Sequence, residues 1–156
     1  MNILCVCLGN ICRSPAAQAI FEDRIEKAGL NWTVDSAGTG AWHAGNPPDE
    51  RMIRAAARRG YDLTPQRARK VTGDDFSAFD HILAMDQSNF DDLTAIAPAD
   101  GSAEISLLLS HTHLDVSEVP DPYYGGESGF DGVINLISKA VDGFLETYAA
   151  SEDQRA

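Results

Sequence analysis

The sequence predicts an α/β fold in which a parallel β-sheet is covered on both faces by helices. Four short runs read as strands, at 3–8, 32–36, 79–86 and 104–109. They interleave with four stretches whose apolar residues recur at helical spacing, at 16–28, 49–59, 87–97 and 130–148. Such alternation calls for right-handed crossovers and therefore for parallel strands. A chain of 156 residues suits one domain, able to bury roughly two thirds of its unfolded surface without crosslinks. Residues 1–150 are expected to form that single domain and residues 151–156 a frayed tail.

The first run, Ile3 to Leu8, has the continuous apolar character of a strand buried on both faces and ends in Gly9. Ser14-Pro15 then reads as a helix start, with serine as N-cap and proline at the first helical position. Along that helix Ala16, Ala17, Ile20, Phe21, Ile25 and Ala28 share a face, and Gly29 closes it. Trp32 to Ser36 alternates as a strand, followed by a loop over 37–48 rich in glycine and proline. Trp42 in this loop either folds back on the domain or forms a wall of a cleft.

The second helix, Asp49 to Arg59, turns Met52, Ile53, Ala56 and Ala57 inward and its arginines outward, and Gly60 ends it. Asp74 and Asp75 open a short helical turn. Phe79 to Asp86 reads as a buried strand that finishes on an aspartate, and Gln87 to Ala97 as a helix with Phe90, Leu93 and Ile96 inward, stopped by Pro98. After the strand at 104–109, Pro120, Pro122, Gly125, Gly126 and Gly129 prevent regular structure across 110–129, and a loop of that length in a compact domain is usually functional. Phe130 to Tyr148 gives the clearest helical period. In parallel sheets ligands bind beyond the carboxyl ends of the strands. Cys7, Trp42, Asp86 and the loop carrying Asp121 each follow a strand, so topology alone gathers them at one edge.

Charge restricts the partners. A formal net charge of −12 argues against nucleic acid and against anionic membrane surfaces. Any phosphate site must then be locally basic. Arg51, Arg54, Arg58, Arg59, Arg67, Arg69 and Lys70 concentrate positive charge in one segment, which reads more readily as a solvated helix face than as a docking patch for acidic substrates. Cys5, Cys7 and Cys12 lie too close together to staple a secreted scaffold, so reduced thiols and a cytoplasmic location are expected. No signal peptide or transmembrane run is read in the chain.

The segment Val6-Cys7-Leu8-Gly9-Asn10-Ile11-Cys12-Arg13-Ser14-Pro15 places a thiol and a guanidinium on a turn that leads into a helix N-terminus. Unpaired N–H groups and the positive end of the helix dipole favour a bound dianion there, and favour Cys7 as thiolate. Cys7 is thus the candidate nucleophile toward the phosphorus of a phosphate monoester. Arg13 and the loop amides of Leu8 to Ser14 would hold the equatorial oxygens, arginine being suited by its bidentate geometry. Ser14 can donate to the sulfur, cap the helix, or do both. The leaving oxygen needs a proton. Asp121, in Asp121-Pro122-Tyr123-Tyr124-Gly125-Gly126, is the candidate acid on a stiffened loop, with two aromatics to flank an aromatic leaving group. As carboxylate it would next activate water. The cysteine spacing fits no zinc site, His43, His81, His111 and His113 form no companion pair, and the glycine turn is not a nucleotide-binding loop. No metal or other cofactor is expected.

With these residues in place, the chain resembles the low-molecular-weight protein tyrosine phosphatase family from about Ile3 to Leu145. The loop motif is followed in order by Ser36-Ala37-Gly38-Thr39, Gly45-Asn46-Pro47-Pro48, Met85-Asp86-Gln87-Ser88-Asn89 and the Asp121 segment, which match the family's successive signatures. The resemblance implies a three-layer sandwich with a four-stranded parallel sheet in the order 2-1-3-4. It implies phosphotyrosine-bearing proteins as substrates, inorganic phosphate or a similar oxyanion at the active site, and the same roles for Cys7, Arg13 and Asp121. It further implies that Asn10 braces the loop together with Ser14 and Ser36. By the same likeness Cys12 is a redox partner that can form a disulfide with Cys7, and Trp42, Tyr123 and Tyr124 line the cleft. Weak self-association through active-site aromatics occurs in some members. One departure is Gln66, where members often carry a histidine bonded to the loop asparagine.

Related chemistries are set apart by single residues. Arsenate reductases of this type relay oxidation to cysteines further along, and none follows Cys12. Protein-arginine phosphatases of the same fold carry threonine where this chain has Ile11. A phosphate-binding or redox-sensing module without turnover would have no use for Asp121.

Overall fold

β1 (Asn2–Cys7) has no accessible surface from Ile3 to Val6, because it is paired on both edges and covered on both faces. On one side it runs parallel to β2 (Thr33–Gly38), with Cys7 opposite Gly38. On the other it runs parallel to β3 (His81–Ala84), which in turn pairs parallel with β4 (Glu104–Leu107). The order β2-β1-β3-β4 is the expected one. The computed structural model describes residues 1–123 and 125–155, with the side chains of Glu127 and of residues 151–155 outside the described set.

Alternation along β1 splits the core in two. Ile3, Cys5 and Cys7 join a cluster with Ile20 and Phe21 of α1 (Arg13–Ala28), Met52 of α2 (Glu50–Ala57) and the apolar stripe of α5 (Glu127–Arg155). Leu4 and Val6 point the other way, onto Phe76 of α3 (Asp75–Ala78) and Leu93 of α4 (Gln87–Ile96). A period of two in the strand thus builds a three-layer α/β sandwich. In α5 the stripe Phe130, Val133, Ile134, Ile137, Val141 and Phe144 is fully buried or nearly so, as its 3.6 period predicts. Among the described residues no helix is long and apolar enough to cross a membrane.

Several local expectations change. α1 begins at Arg13 with Cys12 at the capping position, so Ser14 and Pro15 lie inside its first turn and Ser14 is not the N-cap. Proline is tolerated there because the first four N–H groups of a helix have no intrahelical acceptor to lose. Gly29, with φ of 67°, closes the helix as expected. In α2 the buried set is Met52, Ala55 and Ala56, while Ala57 is exposed and Ile53 only partly covered. Ile96, expected inward, is exposed at the last position of α4. Strand β3 stops at Ala84, and Asp86 caps α4 by accepting from the Asn89 N–H at 2.8 Å. After β4 the chain forms a single 3-10 turn at Leu108–His111. α5 runs from Glu127 to Arg155.

The basic segment is largely paired. Arg58 and Arg59 reach Asp131 and Asn135 on α5, and Arg69 bridges Asp35 and Asp75. This accords with a structural face more than with a free docking patch.

Candidate active site

The loop between β1 and α1 turns at Asn10, whose φ of 58° makes it the one non-glycine residue with positive φ among the described residues. Side-chain bonds hold that strained conformation. Asn10 Nδ2 donates to Ser14 Oγ at 2.8 Å and to Ser36 Oγ at 3.0 Å, and the Arg69 N–H donates to Asn10 Oδ1 at 2.9 Å. Ser36 Oγ donates onward to Gln18 Oε1 at 2.8 Å, and Gln18 Nε2 donates to Glu22 Oε1 at 2.9 Å. The direction of the chain is fixed at both ends. A backbone N–H can only donate and a carboxylate only accepts, so the Asn10 amide must present its hydrogens to both serines. Ser14 then keeps its own hydrogen, with Cys7 Sγ at 3.1 Å and the Ala37 carbonyl at 3.4 Å from its oxygen.

The helix start therefore sets Ser14 beneath the sulfur instead of at a cap. Asn10, Ser14 and Ser36 meet as expected. Gln66 does not join them: its Nε2 donates to the Pro15 carbonyl at 3.0 Å, and the Arg69 amide occupies the acceptor face of Asn10. The Asn10 support thus survives without the histidine.

Arg13 is buried, and its guanidinium is aimed by two acceptors. Nη1 donates to Asp86 Oδ2 at 2.6 Å and to the Val119 carbonyl at 3.0 Å. Nη2 faces Asp121, whose Oδ2 is 3.7 Å away. The Asp121 loop is itself tied down. The Val119 N–H donates to the Met85 carbonyl at 2.8 Å, the Tyr123 N–H donates to Asp121 Oδ1 at 3.0 Å, and Arg51 Nη2 donates to the Tyr123 carbonyl at 3.0 Å. Arg51 also pairs with Asp49, whose N–H donates to the Ile11 carbonyl. One arginine thus links the phosphate-loop side of the cleft to the acid side.

Between these elements lies a cavity of about 300 Å³ lined by Cys7, Leu8, Gly9, Ile11, Cys12, Arg13, Trp42, His43, Asp121 and Tyr123. The four strand-following features expected at one edge meet here, with Asp86 just behind Arg13. All three cysteines are free thiols. Burial pushes the Cys12 thiol well above its ordinary range, so it sits in the cleft as a neutral SH group. Trp42 stands at the rim and is exposed. Tyr124 lies outside the described residues. No site role is expected for Gln18, His43 or Arg51, because the contacts that bring them to the site, to Ser36 and Tyr123, are distant in the chain. Among the described residues no group of three His, Cys, Asp or Glu side chains is placed to hold a metal ion.

Against known proteins, the family model described as low molecular weight phosphotyrosine protein phosphatase matches residues 2–154. The chain belongs to that family. A low molecular weight phosphotyrosine protein phosphatase of Schizosaccharomyces pombe is 44% identical over 154 residues, covering 96% of this chain and 97% of that one. A protein tyrosine phosphatase structure from Entamoeba histolytica superposes with a TM-score of 0.92 at 38% identity, over 97% of this chain and 99% of that one. A drosophila arginine phosphatase structure gives 0.91 at 34%, over 95% and 98%. As a low-molecular-weight phosphatase, this protein hydrolyses phosphotyrosine through a phosphocysteine intermediate with an aspartate as acid and base.

Proposed function

We propose that Cys7, Arg13 and Asp121 carry this hydrolysis, on phosphotyrosine in proteins, without a metal ion. The observation that supports it best is the convergence of Cys7 Sγ, the Arg13 guanidinium and the Asp121 carboxyl on one cavity. Cys7 attacks phosphorus in line as thiolate, a form that the Ser14 hydroxyl, 3.1 Å from the sulfur, is placed to hydrogen-bond. Arg13 Nη2 and the amides of Leu8 to Ser14 hold the three equatorial oxygens as charge shifts toward the leaving group. Asp121, protonated, gives its proton to the ester oxygen as the P–O bond breaks. Its carboxylate then takes a proton from water, the resulting hydroxide attacks the phosphocysteine, and inorganic phosphate and the thiolate are released.

Trp42 and Tyr123 flank the aryl group, and Ile11 gives the lining an apolar character that suits a ring better than a guanidino group. Cys12 guards Cys7 by closing a disulfide with it under peroxide: two electrons and two protons pass to the peroxide, which leaves as water. Reduced thiols fit a cytoplasmic location. The test is turnover of p-nitrophenyl phosphate in excess chelator, which is expected to be unaffected. Full activity in Cys7→Ser, or loss of turnover on chelation, overturns the assignment.

A further inference from the structure

Trp42 is the most exposed of the large apolar residues, at 72%, yet its indole is not free in solvent. Its six-membered ring packs against Gly40. A Cβ added at Gly40 would fall 2.6 Å from Cη2 and closer still to Cε3 and Cζ3, overlapping that edge of the ring. Gly40 has no positive φ, so the missing side chain does not serve backbone freedom. It leaves room for the indole.

Gly40 is also fixed relative to the nucleophile. Its N–H donates to the Leu8 carbonyl at 2.9 Å, and the neighbouring Thr39 N–H donates to the carbonyl of Cys7 itself at 2.9 Å. The indole therefore rests on a segment bonded directly to the phosphate loop. Across the mouth stands Tyr123, with His43 between, its ring 6.5 Å from that of Tyr123.

From this we infer that Gly40 is a specificity-determining positioning residue. It is the seat of the Trp42 indole, and it sets how far the cleft wall stands from Cys7 and hence the fit for an aryl phosphate over a small alkyl phosphate. The inference rests on the reading of Trp42 as a cleft wall. An alanine methyl at this position displaces the ring from its seat. The fold tolerates that, because the displaced group is a solvent-exposed side chain.

The experiment compares wild type, Gly40→Ala, Trp42→Ala and the double variant on p-nitrophenyl phosphate and on a small alkyl phosphate. Gly40→Ala is expected to raise KM for the aryl ester roughly fivefold, the scale of one lost aromatic contact, with little change in kcat and none in KM for the alkyl ester. In the Trp42→Ala background the same substitution is expected to add nothing. A Gly40→Ala effect that persists without the indole overturns the inference, as does an unchanged aryl KM in Gly40→Ala when Trp42→Ala does raise it. An unchanged aryl KM in Trp42→Ala instead overturns the cleft-wall reading, and the inference with it. Should Gly40→Ala not fold, the double variant, which lacks the clash, must fold; if it does not, the indole is not what Gly40 accommodates.

Discussion

Asp86 holds Arg13 across 2.6 Å, and the same carboxylate caps α4 through its other oxygen. The arginine is almost wholly enclosed, so Asp86 supplies the counter-charge that makes its burial tolerable when no oxyanion is bound. Asp86→Ala removes both the cap and the counter-charge. We expect a loss of about 2–4 kcal/mol in denaturant melts, part of which returns when inorganic phosphate is added as a replacement anion. Phosphate that restores wild-type Asp86 and Asp86→Ala equally would show that the pair does not serve the arginine.

The role of Asp121 separates by leaving group. Asp121→Ala should lower kcat by roughly a hundredfold or more on phenyl phosphate, whose leaving oxygen needs a proton, and far less on p-nitrophenyl phosphate, whose does not. Equal losses on both esters would mean that the acid is another residue.

Arg51 reaches the Tyr123 carbonyl at 3.0 Å while paired with Asp49, and its guanidinium lies 4.8 Å from the Phe130 ring centre. It holds the acid loop against the phosphate-loop side of the cleft. Arg51→Ala is expected to lower kcat on phenyl phosphate about tenfold, and to have no further effect once Asp121 is alanine. Additive losses in the double variant would place Arg51 outside the acid step.

Far from the cleft, His81 and His111 pack around Phe144 and Tyr148, with ring centres 4.7–6.0 Å from them. Burial holds both imidazoles below the ordinary histidine value, and in His111 the neighbouring His81 adds to it; Glu104 opposes the shift in both, and Asp80 opposes it in His81. The unfolded chain therefore binds more protons than the native one as pH falls below about 6.5. Stability is full above that value and declines beneath it, by up to about 1.4 kcal/mol per pH unit for each histidine. Thermal melts from pH 8 to pH 5 should show the decline, and His81→Leu should flatten it. A Tm independent of pH across that range would refute the account.

The sequence displays some of this architecture openly. An unbroken apolar run is what a strand buried on both faces requires, so β1 and the position of Cys7 at its end are legible. Asp121 stands out only beside the cysteine loop, because an Asp-Pro stretch by itself reads as a surface turn. Ser14 shows where local reading stops: Ser-Pro before an alanine-rich face is the ordinary mark of a helix start, yet the loop is already helical at Arg13, and the hydroxyl lies between the sulfur and the Ala37 carbonyl instead. Ile96 has the right period but, at the end of its helix, is exposed. Gln18, the Arg69 amide and Gly40 act through contacts across the fold, which a one-dimensional pattern does not carry.

The bonds that fix the phosphate loop and the groups that face the aryl ring sit on different kinds of structure. Cys7, Asn10, Ile11, Cys12 and Arg13 are buried where β1 leads into α1. The rim, Trp42, His43 and Tyr123, stands on loops whose side chains contribute little to the core. Natural variation or laboratory selection can therefore rewrite ligand choice at the rim, by exchanges as small as a methyl at residue 40, while the reaction itself is inherited unaltered.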